Sequence, residues 1–258
     1  LGDVYKRQVK RRSPMRNLKV MMAYRGTNYH GFQYQDNALT VQEVVQKHVS
    51  SVLNERVIIN GCSRTDTGVH ANNYCFSVLT ESKIPPRNFV RGVNGRLPDD
   101  ISILSCEDVP LDFHARFSCK AKEYVYLIHN SESKNPFTTD LAYHYRRPVD
   151  IELMRKTARK FVGTHDFRAF CSGYNENKCT VRTIYNFDVE INGELVKMLV
   201  KGDGFLYNMI RIMVGTLLAV NEKKIWTDDI ESIMESGDRQ RAGKTAQPHG
   251  LYLNRIFY

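Results

Sequence analysis

The chain has 258 residues, 42% of them hydrophobic and 25% charged, which is an ordinary globular composition with room for one large domain or two small ones around a shared core. A formal charge of +9 points to an anionic partner such as nucleic acid. Residues 1–19 hold seven Lys or Arg against one Asp, however, so they carry +6 of that charge and residues 20–258 only +3. Residues 1–14 read as a basic leader outside the fold, with Met15 as the natural start. They lack the apolar segment of a secretory signal. The longest apolar run, residues 212–220, falls short of the roughly 20 residues that span a bilayer. A soluble, cytoplasmic protein without membrane contact is expected. The six cysteines form no C-x-x-C pair, so no disulfide framework is expected. His165, Cys171 and Cys179 fit no common zinc spacing, and cysteines packed as small hydrophobes are the expectation.

In chain order, residues 18–24 read as a strand and residues 25–33 as a loop with two glycines and several aromatics. Thr40 is placed to cap a helix over Val41–Leu53, with Val41, Val44, Val45, His48, Val49 and Val52 as its apolar stripe. A strand at 57–61, a polar loop around Asp66 and a strand at 74–79 follow. Pro85-Pro86 opens a helix that ends before Leu97-Pro98, and residues 101–104 form a short strand. Strand, helix, strand, strand, helix, strand is the order of a split βαβ, ferredoxin-like unit. The second half repeats it less regularly, with a strand at 123–129 and a helix from an Asp150 cap to Val162. Strands at 184–191 and 195–201, helices at 205–220 and 228–236, and a strand at Leu251–Phe257 complete it. The expected fold class is α+β: two ferredoxin-like halves, residues 15–112 and 113–258, sharing one extended mixed or antiparallel sheet with a ligand cleft between them.

No G-x-x-x-x-G-K-[ST] loop, G-x-G-x-x-G turn, H-E-x-x-H helix or G-x-S-x-G elbow is present. Their absence argues against nucleotide hydrolysis, a dinucleotide cofactor, zinc peptidase chemistry and the common serine hydrolases. What remains is Ser63-Arg64-Thr65-Asp66-Thr67-Gly68-Val69-His70. Two readings of it stay open. Asp66 caps backbone N–H groups in a turn where Gly68 supplies positive φ, or it is a carboxylate kept ionised by an adjacent guanidinium and fit to act as nucleophile or base. A plain strand-to-strand connection could be shorter.

The helix beginning near Phe205 is apolar nearly all round and so expected to be buried. Arg211 is the only charge between Asp203 and Glu222, and a buried guanidinium needs an anion. That anion is a carboxylate in a core salt bridge, an active-site carboxylate or an RNA phosphate. Asn208 and Gly215 share its face, where a slim polar groove is expected. Tyr124 and Tyr126 point to one face of a strand, either as ordinary sheet tyrosines or as a ring for stacking on an extruded base. Residues 112–117 interleave cations with aromatics, a weak nucleic-acid signal.

Taken together these segments resemble the TruA family of tRNA pseudouridine synthases. The likeness is collinear from about Val20 to Leu253. It runs through Tyr24-Arg25-Gly26, Gly31-Phe32-Gln33, Val41-Gln42-Glu43, the Arg64 to His70 segment, the Asp112 to Phe117 segment, Tyr124-Val125-Tyr126, the Phe205 to Arg211 segment and Gly250-Leu251-Tyr252-Leu253. The resemblance implies a pseudouridine synthase fold of two α/β halves around a basic cleft. It implies an isomerase that turns uridine into pseudouridine in the anticodon stem-loop of tRNA, at positions 38, 39 or 40, working as a homodimer with no metal and no organic cofactor. It also implies that Asp66 is the catalytic aspartate, that Arg64 and Arg211 are the basic residues around it, that Tyr124 is the active-site tyrosine and that Leu251 packs against the target base. Arg25, Gln33, His70 and Arg116, which lie in the resembling segments, are taken as further substrate-binding residues.

The chain departs from the family pattern at Cys62-Ser63, where Ala-Gly is usual, at Thr67, where Ala is usual, and at Phe32, where Trp is common. These positions flank the key residues without replacing them and leave the choice of uridine open. Three rivals remain: a non-catalytic tRNA-binding or chaperone module on the same fold, a duplicated synthase acting on a different RNA uridine, and a metal-dependent nuclease. The first expects the acid to be lost. The last expects clustered carboxylates, and the loop offers one.

Overall fold

The computed structural model describes residues 14–173 and 179–258. The basic leader, apart from Pro14, lies outside the described residues. The first half contains β1 (Arg16–Tyr24), α1 (Val41–Leu53), β2 (Asn60–Gly61), β3 (His70–Thr80), α2 (Pro86–Asn94) and β4 (Ile101–Val109). The second contains β5 (Ala121–Asn130), β6 (Tyr143–Tyr145), α3 (Ile151–Arg159), β7 (Gly163–Asp166), β8 (Val181–Asn192), β9 (Leu195–Gly202), α4 (Met209–Asn221), α5 (Asp229–Ser236) and β10 (Leu251–Phe257). Local chemistry explains the helix starts. Thr40 Oγ1 accepts from the Glu43 N–H at 3.3 Å and Asp150 Oδ1 from the Leu153 N–H at 2.9 Å, each satisfying one of the orphan donors of a first turn. Val41, Val45, Val49 and Leu53 then turn one stripe of α1 into the core.

The described strands form one sheet in the order β4-β1-β3-β10-β5-β9-β8-β7, with β2 beside β3 and β6 beside β5. Within the first half the order is β4-β1-β3-β2, and within the second β10-β5-β9-β8, every neighbouring pair being antiparallel. Each half is therefore a complete split βαβ unit, as the sequence order predicts. The join is a short parallel pairing of Tyr252 with His70 and Leu253 with Ala71. One edge of β3 pairs with β1 along its length. Its other edge is divided between β10 at His70–Ala71 and β2 at Phe76–Ser77. The connection from β2 to β3 starts on one arm of that fork and ends on the other, which places residues 62–69 at the seam of the two halves.

Several elements differ from their predicted extent, two of them for identifiable physical reasons. The predicted strand at 57–61 pairs only at Asn60 and Gly61. The Val57 N–H donates to Ser50 Oγ, the Ile59 N–H to Gln46 Oε1, and the Ile59 carbonyl accepts from Gln42 Nε2. Side chains of α1 thus take the place of a strand partner. The helix predicted from Phe205 begins at Met209, because Asn208 sits at φ 60° in the left-handed region, which asparagine tolerates better than most residues. The apolar pattern runs on through residues 205–207, so periodicity alone does not reveal the break. The helix predicted from Asp150 to Val162 closes sooner, at Arg159. Among the described residues no helix is long and apolar enough to cross a membrane.

Candidate active site

The connection between β2 and β3 is held from several sides. The Phe32 N–H donates to the Thr65 carbonyl at 3.2 Å and the Gly68 N–H to the Tyr29 carbonyl at 3.4 Å, so the first loop supports it. Tyr74 Oη donates to the Ser63 carbonyl at 2.5 Å, and Tyr24 Oη lies 2.8 Å from Thr65 Oγ1. Phe32 stacks on Tyr74 at 4.3 Å between ring centres. Within the loop the Val69 N–H donates to the Asp66 carbonyl at 3.1 Å and Gly68 takes φ +76°. The turn that the sequence suggests is real, but it is made by the Asp66 backbone. Its side chain is left for another partner.

That partner is Arg211. Its Nη1 lies 3.1 Å from Asp66 Oδ2, and the two side chains are 15% and 24% exposed. Nη1 also donates to Asn208 Oδ1 at 2.7 Å and Nε to the Ala246 carbonyl at 2.8 Å. The left-handed turn at Asn208 places its amide oxygen to orient the guanidinium, which reaches across from the second half to the carboxylate of the first. Burial pushes the Asp66 carboxyl above its ordinary value, and the hydrogen bond and charge of Arg211 oppose that rise. The predicted polar groove beside Gly215 does not form. A Cβ there would stand 1.7 Å from the Lys244 carbonyl oxygen, so the segment running to Ala246 packs directly on the helix and closes that face.

Asp66 opens into a cavity of about 770 Å³, a size that suits a nucleoside-scale ligand. Arg64, Gln33, Arg116, Tyr124 and Leu251 all line it with Asp66. Arg64 is exposed and has no ion pair or hydrogen bond with the described residues. The guanidinium that holds Asp66 is therefore that of Arg211 and not, as the spacing suggests, that of Arg64. Tyr124 is buried, packs edge-on to Phe205 and lies 3.1 Å from Ser63 Oγ. Burial raises its phenol above the ordinary range, with the Ser63 hydrogen bond acting against that shift. Tyr126, on the same strand, is not among the lining residues and donates to the Gln247 carbonyl at 2.8 Å.

Two predicted binding residues are not brought to the cavity wall. His70 is buried: Nδ1 accepts from the Gly26 N–H at 2.9 Å, Nε2 faces the His249 carbonyl at 3.1 Å, and the ring packs on Tyr252. Those contacts call for the neutral tautomer that donates from Nε2. Burial also lowers the imidazole below its ordinary value. His70 therefore ties the first loop to the segment before β10. Arg25 points its Nε to Thr27 Oγ1 at 3.2 Å, outside the lining residues. Conversely, Lys122 and Arg182 line the cavity without having been singled out, and Ser63, beside the Arg64 to His70 segment, and Phe205, in the Phe205 to Arg211 segment, line it without a predicted site role. Lys122 was detectable, because it stands two residues before Tyr124 and so on the same strand face. Arg182 lies at the start of β8, outside its buried stretch, with nothing local to mark it.

Asp66 is the one carboxylate among the described lining residues, facing the basic side chains of Arg64, Arg116, Lys122 and Arg182. Two joined split βαβ units with a single described carboxylate at the fork agree with the pseudouridine synthase fold that the resemblance implies. The model of the tRNA pseudouridine synthase family matches residues 20–118 and 157–258, and the chain belongs to that family. It is 45% identical over 244 residues to a tRNA pseudouridine synthase A of Thermoanaerobacter sp. (strain X514), covering 95% of this chain and all of that protein. With the same coverage it is 46% identical to the tRNA pseudouridine synthase A of Acetivibrio thermocellus and 42% identical to tRNA pseudouridine synthase A 2 of Clostridium perfringens. A solved Cbf5-Nop10-Gar1 complex is a remote likeness, at 14% identity and a TM-score of 0.36 over 91% of this chain and 57% of that one.

Proposed function

We propose that this chain isomerises uridine to pseudouridine in tRNA, with Asp66 as the acting carboxylate. The observation that carries the reading is the placement of Asp66: the sole described carboxylate of a cation-lined cavity, held from behind by Arg211. The target nucleotide leaves its stack to enter the cavity. Two routes start at Asp66. In one, an oxygen of Asp66 bonds to C1′ as the N1–C1′ bond breaks. In the other, Asp66 takes the C2′ proton and a glycal forms. In both, uracil departs with anionic character and the sugar gains the positive character familiar from glycoside cleavage. The freed base turns so that C5 bonds to C1′; in the first route the Asp66–C1′ bond breaks as this bond forms, in the second C2′ takes its proton back from Asp66, and in both C5 gives up a proton while N1 takes one up.

A trapped base needs a close wall, which Leu251 and the ring of Tyr124 supply from neighbouring strands. Arg64, Arg116 and Arg182 stand where phosphates would position the stem-loop without reading its sequence. The anticodon stem-loop, at positions 38, 39 and 40, is the substrate region we assign, and a homodimer the working form. The deciding assay incubates purified protein with tRNA in EDTA and detects product by pseudouridine-specific chemical labelling, since isomerisation leaves mass unchanged. tRNAs carrying one candidate uridine each give the position. No product from the native protein sinks the reading, and product from Asp66→Ala sinks the residue assignment.

A further inference from the structure

We propose that Lys122 and Ser63 are positioning residues for Tyr124, forming a hydrogen-bond chain of fixed direction that turns the Tyr124 phenol proton into the cavity. The inference rests on the function proposed above. Lys122 Nζ lies 2.9 Å from the Cys62 carbonyl oxygen and 3.3 Å from Ser63 Oγ, and Ser63 Oγ lies 3.1 Å from Tyr124 Oη. No carboxylate among the described residues pairs with Lys122.

The direction follows from the protons of the ammonium and the polarisation it imposes. An ammonium carries three protons and no lone pair, so Lys122 donates in both of its contacts. Ser63 Oγ accepts one of those protons. Its own proton cannot point back at Lys122, where proton would face proton, and its other described partner is Tyr124. Ser63 Oγ keeps a second lone pair, but accepting from a cation makes its hydroxyl a stronger donor and a poorer acceptor, and this favours donation to the phenol oxygen. The Tyr124 proton is then free to point elsewhere, and Tyr124 lines the cavity.

The ring cannot swing to undo this arrangement. Phe205 meets it edge-on at 5.2 Å and 81°, and its backbone is paired on both sides, to Leu253 and to Val200. A charged donor at the head of such a chain polarises each bond after it. The result is a fixed O–H donor aimed at the place where a uracil oxygen gains negative charge as the glycosidic bond breaks, the situation in which a preset donor is most effective.

The test is a set of single-turnover rates on tRNA. Ser63→Ala and Lys122→Met should each slow the reaction by about tenfold while RNA affinity stays within about twofold. Ser63→Thr, which keeps the hydroxyl, should run near the wild-type rate. In a Tyr124→Phe background Ser63→Ala should cost nothing more, because residues acting through one group are not additive. Losses that add in full, or a Ser63→Thr as slow as Ser63→Ala, overturn the proposal. Should Tyr124→Phe fall below detection, the Thr and Ala variants decide between them. A wild type that makes no pseudouridine overturns the functional reading beneath the proposal, whereas an active wild type whose Ser63→Ala variant is equally fast overturns the proposal alone.

Discussion

The two halves are the same split βαβ unit built twice, and they differ most where their second strand turns into their third. In the second half β8 and β9 are long, and Gly193 and Glu194 alone connect them, with Gly193 at φ +58°. This is a tight hairpin in which the turn glycine matches the twist of the strands. In the first half the equivalent β2 is cut to two residues, and residues 62–69 replace the hairpin. The shortened strand frees part of the β3 edge, β10 takes it, and the longer connection carries Asp66 to the seam. The helices after the third strands differ in the same sense. α2 buries only Phe89 and Val93, while α4 is buried nearly all round and aims Arg211 at Asp66. A repeated unit becomes a site where one copy gives up its hairpin and the other supplies the counter-charge.

Substituting the residue that sets the halves apart should have the largest effect. Asp66→Ala is expected to cut the single-turnover rate on the order of 10⁴-fold with the circular dichroism spectrum unchanged. A residual rate within tenfold of wild type would end the claim that the opened connection is the catalytic part. Next comes the link between halves: Arg211→Met should cost about 10²-fold.

Arg211→Met should also move the acid limb of the pH–rate profile. The Asp66 carboxyl is raised by burial and lowered by Arg211, with burial the larger cause. In the proposed role the ionised form of Asp66 acts, so the limb is expected above the ordinary carboxylate value of roughly 4, and higher still once Arg211 is removed. The same raised value favours the fold when Asp66 is protonated. That contribution is complete below the unfolded-state value and is lost as pH rises through the folded one. Melting temperatures at pH 4 and pH 7 should therefore show Asp66→Asn gaining on wild type towards neutral pH. A gain at pH 4 that disappears at pH 7 would reverse the assigned shift.

A smaller effect is expected at Arg64, which has no described partner. Arg64→Ala should leave stability within about 0.5 kcal/mol and the acid limb in place, while lowering the slope of log affinity against log salt by about one. A displaced acid limb would mean that Arg64, and not Arg211 alone, governs Asp66. Smallest are the helix caps, one in each half. Thr40→Ala and Asp150→Ala should each cost about 1 kcal/mol, lowering Tm by about 2–4 °C. Both should act on one shared transition, since a single core of buried residues runs through both halves; two separate transitions would show that the halves fold apart.

Much of this could be read along the chain. Thr40 and its valine stripe, Asp150, the Pro85-Pro86 start and the strand at Leu251–Phe257 are signals local in sequence, and local hydrogen bonding and periodicity decide them. The start of α4 was hidden because Phe205, Leu206 and Tyr207 are apolar for the sake of the cavity and the core, so their pattern imitates a helix. His70 looked available beside Asp66, yet successive residues entering a strand face opposite ways, and His70 points into the structure.

By itself, the amino-acid sequence determined the two strand–helix alternations, the polar connection bearing Asp66 and the isolated charge of Arg211, because each is a matter of spacing along one segment. Which guanidinium meets Asp66 was decided only in three dimensions. Arg64 is two residues away in the chain and stays solvated on the cavity wall, while Arg211, 145 residues away, is delivered by a buried helix. A nearly dry guanidinium must find an anion and a solvated one need not.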